Sequence, residues 1–145
     1  MIRRRTGWLA LGGMLAALAL GGCSQAPGTD DSFTERIPAA LERSDLGVTE
    51  SWADKGVDGL TTYLSVGVSL DRDVISAGEL QQLIAIVVDE NTVSVRNLRL
   101  SVEDEAGEDI DIVPLLEQLG ADPLVGTFVS ITFDEATAIA EGAAS

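Results

Sequence analysis

Histidine is absent from the 145 residues, and lysine and cysteine each occur once. Without histidine there is no Ser-His-Asp triad, no Cys-His pair and no histidine-ligated zinc. The one lysine, Lys55, lies in the run ADKGVDG, which lacks the spacing of a phosphate-binding loop, so nucleotide hydrolysis is not expected. A lone cysteine forms no intramolecular disulfide. Aromatic residues make up 4% of the chain, little material for the carbohydrate cleft that paired catalytic carboxylates serve. Basic residues are equally scarce, nine against 24 acidic, for a formal charge of −15. A surface of that sign repels phosphate backbones, which excludes nucleic acid as the expected partner.

What is present begins with three arginines. Arg3, Arg4 and Arg5 form a positive amino-terminal region, and Trp8 to Leu20 form an apolar run interrupted by Gly12 and Gly13. A spanning helix needs roughly 20 apolar residues, so this run has the length of a signal sequence instead. Leu20-Gly21-Gly22-Cys23 then resembles the lipobox of bacterial lipoproteins, in which small residues precede the cysteine that the lipoprotein signal peptidase exposes. The resemblance implies that residues 1–22 are removed and that Cys23 carries a diacylglyceryl thioether, the only covalent group expected. It places the protein on the extracytoplasmic face of the cell membrane. Two acyl chains give stable anchoring because each buried methylene contributes about 0.8 kcal/mol. Arg4-Arg5 also has a likeness to a twin-arginine signal, and general secretion is the default. Loss of the three arginines takes the formal charge from −15 to −18. Residues 23–31, small and polar around Pro27 and Gly28, read as a flexible tether.

Residues 32–145 read as a single acidic domain, because 46% hydrophobic residues suffice for one core. Phe33, Ile37, Ala40 and Leu41 share one helical face, with Ser32 and Glu35 spaced for a capping box and Pro38 leaving the helix start undefined. Val48 to Ala53 reads as a strand, Asp54 to Gly59 as a turn, and Leu60 to Leu70 as the clearest strand, alternating apolar and small polar residues. Ser76 and Glu79 give a second capping box ahead of Leu80, Leu83, Ile84, Val87 and Val88, an amphipathic helix. Leu98, Leu100 and Val102 alternate as a strand, and Ile110 with Ile112 reads as a short returning one. Pro114 to Leu119 suits a short helix capped by Gly120. Val125 to Phe133 reads as one last strand, followed from Asp134 by an alanine-rich tail, helical or frayed. The order α-β-β-α-β-(β)-α-β-α predicts an α+β fold, a mainly antiparallel sheet with helices on one face, ferredoxin-like in style.

That architecture hosts unrelated functions, so function must come from a site. The densest acidic stretch is VEDEAGEDIDI, where Glu103, Glu105, Asp109 and Asp111 recur on every second position except Gly107. Alternating acids around a glycine superficially resemble a calcium loop, yet the glycine and the terminal glutamate of such a loop fit no register here. A solvated turn is the simpler reading. Trp52 and Tyr63 read as core residues first and as contact residues second. The leading expectation is therefore a lipid-anchored, non-enzymatic module that contacts another envelope protein through its sheet surface or its acidic turn. A binder of calcium or a small cationic solute through residues 103–111 is the second reading, and a small carboxylate-based envelope enzyme the third.

Overall fold

The computed structural model describes residues 30–144, so the expected signal segment, Leu20, Gly21, Gly22, Cys23 and most of the tether lie outside the described residues. The elements run α1 (Phe33–Arg43), β1 (Val48–Asp58), β2 (Thr61–Leu70), α2 (Ala77–Glu90), β3 (Asn97–Glu103), α3 (Val113–Gln118), β4 (Leu124–Val125), β5 (Val129–Thr132) and α4 (Phe133–Ala143). The fold is α+β, with one five-stranded sheet ordered β1-β2-β3-β5-β4. Only β2 and β3 are parallel, and α2 is their crossover, as a parallel pair requires. Among the described residues no helix is long and apolar enough to cross a membrane.

One core follows from period-two strands meeting period-3.6 helices. Leu64, Val66 and Val68 of β2 stand beside Leu98, Leu100 and Val102 of β3 in register, and all six are buried. Ile131 of β5 pairs with Leu98 on the same face. Phe33, Ile37 and Leu41 of α1, Leu80, Leu83, Ile84 and Val87 of α2, and Ala136 and Ile139 of α4 complete this cluster. The helices thus cover one face of the sheet. Arg36 joins α1 to α2 through Glu90 at 2.9 Å.

The Ser76–Glu79 capping box forms, with Glu79 N–H donating to Ser76 Oγ and Ser76 N–H donating to the Glu79 carboxylate. Thr132 and Glu135 make a second box that starts α4, so the tail from Asp134 is helical. Four expectations are corrected. Ser32 makes no side-chain cap; its own backbone is already helical, and its N–H donates to Asp30. The turn placed at Asp54–Gly59 is only Gly59 and Leu60, since β1 stays paired through Asp58↔Thr61, and Gly59 takes the positive φ of 63° that this short reversal needs. The strand expected at Ile110–Ile112 shrinks to one bridge, Glu103↔Asp109. The last strand is a hairpin, because residues 126–128 reverse the chain and pair Val125 with Val129, while Phe133 opens α4.

Candidate functional site

The face of the sheet away from the helices is built by the other half of each strand alternation. Trp52↔Gly67, Asp54↔Ser65 and Gly56↔Tyr63 pair across β1 and β2, and Asn97, Arg99 and Ser101 of β3 stand beside Tyr63, Ser65 and Gly67. Ser130 and Thr132 of β5 continue the row. Its centre is therefore paved with serine and glycine, and large side chains can pack over it.

Two aromatic rings do so. A Cβ on Gly67 would overlap the Trp52 indole at Nε1 and Cε2, and one on Gly56 would overlap the Tyr63 ring at Cζ and Oη. Each glycine thus permits a close approach that any other residue would block. Glycine inside a strand weakens it, so its presence beneath each ring trades local strand stability for room to pack an aromatic side chain there. Tyr63 is covered a second time: the Arg99 guanidinium lies 3.5 Å from its ring centroid and reaches Asp58 of β1 at 3.2 Å. Trp52 is 44% exposed, with the Nε1–Cε2 side of its indole over Gly67. Ser65, paired with Asp54 on one side and Arg99 on the other, is 7% exposed, the buried polar residue of this layer.

Charges rim this face. Glu50 and Asp54 share the Trp52 side of β1, both exposed, and Glu103 ends β3 on the same face. Beyond Glu50 a polar depression is lined by Thr49, Ser69, Glu103, Asp104 and Glu105. Of the acidic stretch, Glu103 is at the end of β3, Glu105 is in the turn, Asp109 is in the bridge and Asp111 precedes α3. It is Asp104, not these four, that organises the turn, its Oδ1 accepting from the N–H groups of Ala106 and Glu108. Among the described residues no three carboxylates or other ligating groups are placed to hold a metal ion.

Three carboxyls are held below their ordinary values. Hydrogen bonds from the Ser32 side chain and backbone lower Asp30, the Ser76 N–H lowers Glu79, and the Asp122 N–H followed by Thr132 lowers Glu135. Each sits at a helix start, where a charged acceptor satisfies otherwise unpaired N–H groups. A carboxylic acid serving as a proton donor near neutrality needs the opposite shift.

As aromatic residues on alternating strands, Trp52 and Tyr63 are expected in the core first. Trp52 lies on the open face instead, because the pairing register sets it opposite Gly67 on the side the helices leave bare. The spacing of Trp52 and Tyr63 on either side of a turn, with a glycine in each strand, was the available signal. Comparison with protein-family models, curated proteins and solved structures finds no match for this chain.

Proposed function

We propose that this protein is a lipid-anchored, non-enzymatic interaction module on the extracytoplasmic face of a bacterial cell membrane, and that the open sheet face makes its contact with another envelope protein. The observation that carries the contact is the exposed Trp52 indole lodged over Gly67. Exposed aromatic residues on a rigid, flat support are the anchors around which protein interfaces concentrate their binding energy. The resemblance of Leu20 to Cys23 to a lipobox supports the anchor, and the absence of histidine supports a binding role over catalysis.

The test is site-specific photocrosslinking in native membranes, with the reactive group at Ser101 beside Gly67 or, as a control, at Gln118 on α3. The reading predicts a discrete crosslinked species from position 101 that weakens with Trp52→Ala, and none from position 118. Equal labelling from both positions, or none from 101, would overturn it.

A further inference from the structure

The open face contains an example of what it accepts. Arg99 lies over the Tyr63 ring while Asp58, reaching across from β1, holds the guanidinium. An aromatic face and a carboxylate together make a cation site, since the ring quadrupole and the negative charge attract the same group. Trp52, toward the other end of β1, is a second aromatic residue of this face with carboxylates beside it, here on its own strand. Glu50 and Asp54 flank it at i−2 and i+2, which on a strand is about 7 Å to either side on the same face. Both carboxylates are exposed, and the indole is 44% exposed where Tyr63 is covered. Both sites set an aromatic ring and carboxylates on one face, and at Trp52 both are open to solvent.

The geometry points to Trp52, Glu50 and Asp54 as a receptor for an arginine or lysine side chain carried by an extended basic segment of the partner protein. This inference rests on the open face being the contact surface. Charge complementarity selects this occupant. Six basic residues against 24 acidic remain once the leader arginines are set aside, so a second copy or an acidic partner is repelled and a basic one is drawn in. The acidic depression beyond Glu50, with Glu103, Asp104 and Glu105, continues the negative track for the next basic residue of the segment. Indole is the best of the aromatic partners for a cation. Its support on Gly67 and in the rigid β1–β2 pair leaves little side-chain freedom to lose on binding.

The full-length chain in detergent micelles, carrying Trp8→Leu so that Trp52 is its one tryptophan, is titrated at physiological salt with a short acetylated peptide alternating glycine and arginine. Calorimetry and Trp52 emission are read together. The expected result is saturable binding with quenched Trp52 emission, weakened about tenfold by Trp52→Leu in the calorimeter and about as much by Glu50→Gln with Asp54→Asn, and absent for the citrulline analogue. The pair Glu117→Gln with Asp134→Asn removes the same charge elsewhere and leaves affinity within about twofold. Equal weakening by the two acid pairs would show general charge attraction and overturn the site. So would binding that ignores Trp52→Leu, absence of binding, or preference for a neutral oligosaccharide. A crosslink from position 101 alongside failure of the peptide would retain the contact face and discard the basic segment; loss of both would discard the face as well.

Discussion

Trp52 and Gly67 are directly paired across β1 and β2, and the indole occupies the space where a Gly67 side chain would stand. This couples an exposed aromatic surface to a backbone position in the second strand of the sheet's longest pairing. Gly67→Ala should push the indole off the strand. The overlap is with the far end of one side chain that has solvent beside it, so the cost is at the low end for overpacking, about 1 kcal/mol. Thermal melting in the Trp8→Leu background should show that small loss together with a red shift of Trp52 emission. An unshifted spectrum would contradict the stacking.

Gly78 is the contrasting case. It lies in α2, and a Cβ there meets nothing within 4 Å. Gly78→Ala should stabilise the protein by about 0.5 kcal/mol through helix propensity and a less flexible unfolded chain, read as a raised melting temperature.

Arg99, Tyr63 and Asp58 separate stacking from ion pairing. The Asp58 side chain is 77% exposed, so Asp58→Asn should cost at most about 0.5 kcal/mol. Arg99→Ala also removes the guanidinium from the Tyr63 ring and should cost about 1 kcal/mol. A double-mutant cycle with Tyr63→Leu should give a coupling larger than that of Arg99 with Asp58.

Acid stability should depend on Glu79 and Glu135. Both have folded-state pKa values below the ordinary 4.5, the first through the Ser76 N–H and the second through the Asp122 N–H. A lowered value means that the folded state favours the charged form, so the contribution is complete above about pH 4.5 and is lost as the pH falls through the folded values. Denaturant titrations of Glu79→Gln and Glu135→Gln should show lower stability at neutral pH and a shallower decline into acid than the parent. Parallel pH profiles would contradict this.

How far the sequence discloses this structure depends on whether a signal is local. The second helix carries its start, Ser76 and Glu79, and its buried face within 14 residues, and the structure repeats both. The strands β2 and β3 are equally legible from alternation. The hairpin of β4 and β5 is not, because Val125, Thr127, Val129 and Ile131 keep an unbroken alternation through a reversal that only Gly126 marks. The open face is illegible for a different reason. Trp52 opposite Gly67, Tyr63 over Gly56 and Arg99 over Tyr63 are consequences of register, and a one-residue slip would turn all of them toward the helices.

The account as a whole depends on display from a membrane through Cys23, and intact mass spectrometry of the protein from the membrane fraction of its native host tests this most directly, with Cys23→Ala as control. The predicted mass is that of residues 23–145 plus a diacylglyceryl group, with or without a further acyl chain, and it disappears in the variant. A mature chain without lipid, or an unprocessed chain beginning at Met1, would contradict it.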